Sequence, residues 1–204
     1  MTVGERGNRE NAQTLSNHLG KVIRLKDDGS IPSSNPFVNK KNARPEIWSW
    51  GHRNPQGLAV HPKTGELWLQ EHGPRGGDEI NVIKKGKNYG WPKYGREYWG
   101  PKIGKEKMTG FEQPVYHFTP SIAPSGLMIY YGKSFPNWNG SVFSGAMKMT
   151  HINRLYSNSK GQYFEDRILD DWGKRIRNIK LGIDGNVYFA TDEGKIYRMR
   201  REKA

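Results

Sequence analysis

The chain has 204 residues, enough for one or two ordinary domains, and carries 33 Lys and Arg against 20 Asp and Glu, a formal net charge of +13. It contains no cysteine, which excludes a disulfide framework, a cysteine metal site and a cysteine nucleophile. No apolar run approaches the roughly 18 residues of a membrane-spanning helix, so the sequence predicts no such helix. The aromatic content of 12% supplies large side chains for a core, which argues against a disordered chain.

Short apolar segments separated by glycine-containing turns predict β-strands along most of the chain. The first lie at 2–7 and 20–25, and they resemble the last segments, at 190–194 and 195–199. The next lie within 58–72, around a turn at Gly65, and at 79–83. A looser set follows at 126–130, 140–145 and 152–156. The final set begins within 179–192, around a turn at Gly185.

These segments repeat as units of three or four strands, which is typical of a β-propeller. Copies starting at residues 58 and 179 are separated by three steps of roughly 40–45 residues, the usual size of a blade. We therefore predict an all-β partial propeller with about three to four blades, an unclosed ring and a chain that begins within a blade. The alternative is a small open β-sheet domain.

Three motifs carry the chemistry of the chain. They are GHRNPQG at 51–57, EHGPRGGDEIN at 71–81 and KNYGWP, which begins at Lys87. Together they resemble the soluble pyrroloquinoline-quinone (PQQ)-dependent sugar dehydrogenases, the glucose/sorbosone dehydrogenase family, and most closely its bacterial aldose dehydrogenase branch. The resemblance extends over essentially the whole chain and implies that residues 1–204 are a single domain, the C-terminal part of a six-bladed propeller.

The resemblance also implies which residues hold the quinone cofactor. Arg53 and Asn54 match the pair beside the reactive quinone oxygens, where Arg53 would stabilise charge during catalysis. Lys148, Arg175 and Arg177 match the cations that bind the cofactor carboxylates, for which arginine offers a two-pronged donor. The i, i+2 spacing of the two arginines on a strand predicts that both guanidinium groups lie on one face.

Calcium is the second implied cofactor. Gly73 and Pro74 match the residues whose main-chain carbonyls hold the Ca²⁺ at the quinone, and carbonyl oxygens are hard donors that calcium prefers. Glu79 and Tyr89 match ligands of a second, structural calcium in some members. We expect His52 and His72, which lie inside the motifs, to shape the site without reacting.

The activity implied by the resemblance is oxidation of aldose sugars at C1 to lactones, with electrons passed to an external acceptor. It implies a periplasmic or secreted protein, and a homodimer is possible. The family's catalytic histidine lies in a segment that precedes Met1 in the alignment, so we expect the general base outside this chain and the chain alone to be inactive.

Two other functions fit parts of the sequence. A non-enzymatic propeller of the same superfamily would bind a protein or a glycan, but it would not need Arg53, Lys148, Arg175 and Arg177 together. A nucleic-acid-binding protein would explain the net positive charge, but the sequence contains no known nucleic-acid-binding module. We therefore predict no nucleic-acid partner.

Overall fold

The computed structural model describes residues 1–94 and 109–201, and in them the chain is all-β, as predicted. Fourteen strands form four antiparallel sheets, joined by turns and by two short 3-10 helices at Arg9–Gln13 and Pro136–Trp138. The described residues include no helix long and apolar enough to cross a membrane. The chain divides into two compact units.

The first unit comprises Met1–Pro55 and Glu71–Ser121. Its three-stranded sheet has the order β1 (Thr2–Val3), β2 (Lys21–Ile23) and β3 (Ile47–Trp50). Burial alternates along β3, which is the pattern expected of a strand with one face against a core. Two further strands of this unit, β6 (Asp78–Ile83) and β7 (Tyr116–Phe118), pair with Asp78 opposite Phe118.

The second unit comprises Gln56–Gln70 and Ile122–Ala204. Four of its strands form a sheet in the order β11-β10-β9-β8, which runs from Tyr163–Ile168 (β11) through Ile152–Ser157 (β10) and Val142–Ala146 (β9) to Pro124–Ile129 (β8). The last three strands of the chain, β12 (Ile176–Leu181), β13 (Val187–Thr191) and β14 (Ile196–Met199), form a sheet in chain order.

The remaining strands, β4 (Pro55–Val60) and β5 (Leu67–Glu71), precede β6 and β7 in a sheet of order β4-β5-β6-β7. The turn between β4 and β5 is closed by the Gly65 amide, which donates to the His61 carbonyl at 2.9 Å. Two motifs directly follow strands, since GHRNPQG follows β3 and EHGPRGGDEIN starts at the last residue of β5. Strand ends therefore position both motifs.

Apolar and aromatic side chains from successive strands form the core of the second unit. The cluster consists of Met128, Tyr130, Phe143, Ile152, Ile176, Ile179, Val187 and Phe189. The buried residues of β13 alternate with half-buried ones, so one face of that strand packs in the core. This core holds β12 in place, and Arg177 is part of that strand.

The first unit contains a fully buried lysine, Lys21 on β2. Its ammonium group donates to the carbonyls of Asn11 at 2.8 Å, Ala12 at 3.3 Å and Leu19 at 2.5 Å. Burial lowers the pKa of Lys21 to about 8. The lysine thus joins the 3-10 helix at Arg9–Gln13 to the first sheet.

The predicted repeat segments correspond to observed strands, with ends that differ by up to four residues, since β1 covers only Thr2–Val3 of the segment predicted at 2–7. The segments at 79–83 and 195–199 correspond to β6 and β14, and the looser set corresponds to β8, β9 and β10. Three strands were not predicted from the sequence: β3, β7 and β11. Each of the four-stranded sheets therefore contains one strand more than the repeats indicated.

Candidate functional site

A left-handed glycine brings two of the motifs together in the first unit. Gly51 has a φ of +77°, and a Cβ on it would lie 2.7 Å from the Gly90 amide nitrogen. The Gly51 carbonyl accepts a hydrogen bond from the Trp91 amide at 3.0 Å. No larger residue fits this close approach, so the glycine sets GHRNPQG directly against KNYGWP.

Arg53 is held in the site by hydrogen bonds from its amide and from one guanidinium nitrogen. Its amide donates to Glu71 Oε2 at 2.6 Å, and its Nη1 donates to the His72 carbonyl at 3.1 Å. The guanidinium lies over the Trp91 ring, 5.4 Å from its centre. Its Nε is buried and finds no hydrogen-bond acceptor among the residues that the structure describes.

The charge of Arg53 is held in a partly desolvated position. Burial lowers the pKa of its guanidinium, and the carboxylates of Glu5, Glu71 and Asp78 oppose that shift. Glu5 belongs to the N-terminal segment, where its amide donates to the Arg53 carbonyl at 2.9 Å. Arg53 is therefore a cation surrounded by acidic groups, and its buried Nε–H has no acceptor in the described ranges.

Arg53 lines a pocket of the first unit together with residues from all three motifs. The lining includes Gly51, Glu71, His72, Gly73, Pro74, Glu79, Tyr89, Trp91 and Tyr94. The Trp91 indole N–H is buried and, like Arg53 Nε, has no acceptor within residues 1–94 and 109–201. Two unpartnered donors in one pocket favour a ligand rich in acceptor oxygens.

The pocket wall that contains Gly73 and Pro74 is a tightly folded loop. The Gly73 amide donates to Asp78 Oδ1 at 2.8 Å, and Asp78 Oδ2 accepts from the Ser121 hydroxyl at 2.7 Å. A Cβ on Gly73 would lie 2.1 Å from the Gly76 carbonyl oxygen, so only glycine fits here. The loop is therefore packed tightly against its own backbone, and it leaves no room for a side chain at position 73.

The two residues predicted for the structural calcium, Glu79 and Tyr89, line the same pocket. Glu79 Oε2 accepts from Asn81 Nδ2 at 3.2 Å. The Tyr89 hydroxyl donates to the Val82 carbonyl at 2.6 Å and accepts from the Lys84 amide at 2.8 Å. Burial raises the pKa of Tyr89 far above its ordinary value, so its phenol stays neutral.

The second unit holds the other predicted cations, described here by themselves. Arg175 Nε donates to Asp192 Oδ2 and Arg177 Nε to Asp192 Oδ1, each at 2.6 Å. Both arginine side chains are 51% exposed. The two hydrogen bonds lower the pKa of Asp192, that of Arg175 contributing most. The two guanidinium groups thus converge on one carboxylate.

The prediction of an Arg-x-Arg pair within a strand was wrong in one detail. Strand β12 begins at Ile176, so Arg175 precedes it, and the pairing with β13 shifts register between Ile176 and Asn178. The irregularity re-aims the strand end, and Arg175 Nη1 reaches the Met147 carbonyl at 3.2 Å. The next residue, Lys148, is exposed, and its ammonium group has no hydrogen-bond or ion-pair partner in the described part of the chain.

The sequence reasoning missed two residues of this site, Glu71 and Trp91. Both lie inside the quoted motifs, but neither residue type shows in the sequence which partners it meets in the fold. His52 is buried and lies beside Glu71, in agreement with the shaping role expected of it. No cluster of three or more His, Asp or Glu side chains able to hold a metal occurs in the described ranges.

Comparison with known proteins identifies relatives over nearly the whole chain. The model of the glucose/sorbosone dehydrogenase family matches residues 1–198. Aldose sugar dehydrogenase YliI of Escherichia coli K12 is 46% identical over 198 residues, which is 95% of this chain and 53% of that protein. The chain thus spans about half the length of this relative.

Solved structures agree with the sequence comparison. The soluble aldose sugar dehydrogenase of Escherichia coli, in its apo form, superposes with a TM-score of 0.89 and 45% identity, covering 97% of this chain and 58% of that one. The PQQ-bound aldose sugar dehydrogenase of Streptomyces coelicolor superposes with a TM-score of 0.70 and 29% identity, covering 91% and 50%.

Proposed function

The chain belongs to the glucose/sorbosone dehydrogenase family, and from this premise we propose that it carries part of the cofactor site of an enzyme that oxidises aldose sugars at C1 to lactones with PQQ and Ca²⁺. The observation that carries the proposal is the buried, unpartnered Nε of Arg53 in a pocket walled by Gly73 and Pro74. We further propose that the four sheets are blades of one six-bladed propeller.

The donors of the chain suit a ligand with an ortho-quinone and three carboxylates. Arg53 and Trp91 each offer an unused N–H in the pocket, within residues 1–94 and 109–201, and Asn54 is adjacent to Arg53 in the chain. Lys148, Arg175 and Arg177 offer exposed positive charge for carboxylates. The relative from Streptomyces coelicolor, which is PQQ-bound, supports this choice of cofactor.

The oxygen donors near Arg53 suit calcium. We propose that the carbonyls of Gly73 and Pro74 hold the ion at the cofactor, since the packed loop orients them without a side chain. For the second ion we propose Glu79 through its carboxylate. Tyr89 would contribute its main-chain carbonyl, because its hydroxyl is engaged by Val82 and Lys84.

In the proposed enzyme, the residues of this chain bind the cofactor and keep a positive charge beside it. When bound, PQQ supplies the two-electron acceptor for the sugar. Arg53 keeps a positive charge in a partly desolvated pocket, where it stabilises negative charge that develops on a neighbouring oxygen. The buried Trp91 ring restricts where that guanidinium can lie. The general base remains a prediction, as do a periplasmic or secreted location, an external electron acceptor and a homodimer.

The test is reconstitution of the gene product that carries this chain. We expect PQQ and Ca²⁺ together to produce dye-linked oxidation of aldoses, with lactone as the product. EDTA added before the quinone should abolish the activity, and Ca²⁺ in excess should restore it. Failure to bind PQQ in the presence of Ca²⁺ would overturn the proposal and favour a binding protein of the same superfamily.

A further inference from the structure

A single buried carboxylate, that of Glu71, holds the two segments that the proposed cofactor site needs. Glu71 ends β5 and is 4% exposed. Its Oε2 accepts from the Arg53 amide at 2.6 Å, and its Oε1 accepts from His52 Nδ1 at 2.9 Å and from Asn81 Nδ2 at 3.3 Å. Both oxygens are therefore occupied by donors of the protein itself.

Two hydrogen bonds beside Glu71 join the same two segments. The His72 amide donates to the Asn54 carbonyl at 3.1 Å, and the His72 carbonyl accepts from Arg53 Nη1 at 3.1 Å. One residue further on, the Gly73 amide donates to Asp78. Hydrogen bonds around Glu71 thus hold the backbone at Arg53 next to the backbone that leads into the Gly73–Pro74 loop.

The contacts extend from Glu71 to a buried histidine. An ionised carboxylate only accepts hydrogen bonds, so His52 Nδ1 is the donor to Glu71. In the neutral imidazole, Nε2 is then the acceptor for the Ser49 hydroxyl, 2.8 Å away. The imidazole also stacks on the Tyr89 ring, with 4.7 Å between centres. Ser49 and His52 are both fully buried, so this Ser-His-Glu set cannot meet a substrate and acts on the position of its neighbours.

We infer that Glu71 is a positioning residue, which holds Arg53 in the pocket through its amide and keeps His52 in one tautomer. The inference rests on the proposed function for its catalytic consequence and on the apo geometry for its structural part. Glutamine at this position keeps the size but replaces one acceptor by a donor, which then faces the Arg53 amide or His52. The Arg53 segment should move as a result.

The first experiment needs no cofactor. In ¹H–¹⁵N spectra of the quinone-free protein, Glu71→Gln should move the Arg53 amide and the His52 ring signals. Glu66→Gln, the same change at an exposed glutamate in the β4–β5 turn, should leave both in place. Unmoved Arg53 and His52 signals in Glu71→Gln would overturn the inference, whatever the protein does with quinone. If Glu71→Gln does not fold, Glu71→Asp, which keeps the charge but shortens the side chain, gives the same readout.

The second experiment is a double-mutant cycle on PQQ affinity in the presence of Ca²⁺. Glu71→Gln should raise the Kd about 10–100-fold, as the loss of a residue that orients a ligand does at metal sites. In the Arg53→Ala background the same change should add less than about threefold, because the group that it positions is gone. Full additivity would overturn the inference while leaving the proposed function intact. A wild-type protein that does not bind PQQ would contradict the function instead, and the spectra would then decide on Glu71.

Discussion

The guanidinium of Arg53 and those of Arg175 and Arg177 lie in different environments, although all three were predicted to bind one cofactor. Arg53 is partly desolvated and keeps an unused buried N–H within the described residues. The other two are half exposed and share the carboxylate of Asp192. The difference predicts that Arg53 affects both turnover and PQQ affinity, whereas Arg175 and Arg177 affect affinity alone.

Replacing Arg53 by alanine should lower kcat even when PQQ saturates the protein. The buried positive charge acts on the reacting end of the proposed cofactor, where loss of one preorganised donor typically costs about 10²–10³-fold. The measurement is a reconstitution titration followed by kcat at saturating quinone. Full kcat at saturation would show that Arg53 does not act at the reactive end.

Replacing Arg175 or Arg177 by alanine should instead raise the Kd for PQQ, with kcat kept at saturation. A hydrogen bond to a charged group contributes about 1.5–3 kcal/mol, and half-exposed groups lie at the low end, so we expect roughly a tenfold change. Lys195→Ala, at an exposed position before β14, is the matched control and should leave the Kd unchanged. If the Kd values of Arg175→Ala and Arg177→Ala equal that of Lys195→Ala, these arginines do not bind the cofactor.

The buried ammonium of Lys21 predicts a pH dependence of stability. Its folded pKa of about 8 lies below the ordinary value of 10.5, so the folded protein binds fewer protons between those values than the unfolded chain. The contribution of Lys21 to stability therefore rises as the pH rises from about 8 to 10.5. Urea unfolding across this range should show the rise in wild type and not in Lys21→Met. Lys26→Met, at an exposed position, should follow the wild type.

Sequence motifs identified most of the candidate site, but not the contacts that hold it. Arg53, Gly73 and Pro74 lie in distinctive runs, and the structure places them in one pocket. Glu71 was not distinguishable from other glutamates, because its role depends on meeting Arg53, 18 residues earlier in the chain. The contact between Glu71 and Arg53 depends on how the ends of two strands are aligned, and the residue types around each position do not reveal that alignment.

At the scale of elements, two of the three strands missed by the sequence reasoning have weak patterns for a physical reason. Strand β7 has only three residues, and β11 lies at a sheet edge with half-exposed and charged side chains. Opposite Asp166 of β11 is Arg154 of β10, and the two form an ion pair at 2.7 Å. Charges that protect an edge from further pairing also remove the apolar alternation by which a strand is recognised.

The tight packing of the loop from Gly73 to Asp78 predicts that one added methyl group lowers the stability of the protein. In Gly73→Ala the new Cβ would clash with the backbone of Gly76 and Gly77, which cannot move aside as a side chain can. We expect a loss of about 2 kcal/mol or more of unfolding free energy, in the range of overpacked sites, together with loss of calcium binding.

Gly65→Ala is the control for this prediction. Gly65 has a φ of +73° but open space around its Cα, so alanine there should cost only about 1–2 kcal/mol from backbone strain. Calcium binding should be unaffected, since this turn lies between β4 and β5. Denaturant unfolding and calcium titration measure both variants. Normal calcium affinity in Gly73→Ala would remove the loop carbonyls from the proposed site.

At the scale of the whole molecule, the proposed calcium sites predict that stability depends on the metal. A ligand at 100 times its Kd stabilises the folded state by about 2.7 kcal/mol, so EDTA should lower the Tm and Ca²⁺ should restore it. Mg²⁺ should substitute poorly, because it demands a stricter octahedral geometry. Glu79→Gln should reduce the gain in Tm, whereas Glu66→Gln should not. Identical melting with Ca²⁺ and with EDTA would contradict the presence of either site.

The net charge of +13 gives only a coarse guide to partners, as the individual cations show. The Lys21 ammonium group donates to three main-chain carbonyls, and Arg154 forms an ion pair with Asp166. The cations of the candidate site are a small and specific subset, found by motif and by geometry. Total charge alone would have favoured a polyanion partner, for which the sequence contains no known binding module.

The sharing of Asp192 by Arg175 and Arg177 has a consequence for how any anion arrives there. The two arginines already hold a carboxylate, so an incoming carboxylate does not meet bare charge but exchanges with, or joins, a resident one. Together Arg175, Arg177 and Asp192 have a net charge of +1, so the trio can compensate one further negative charge. Asp192→Asn should remove the resident negative charge, so that the two arginines bind many different anions with little selectivity.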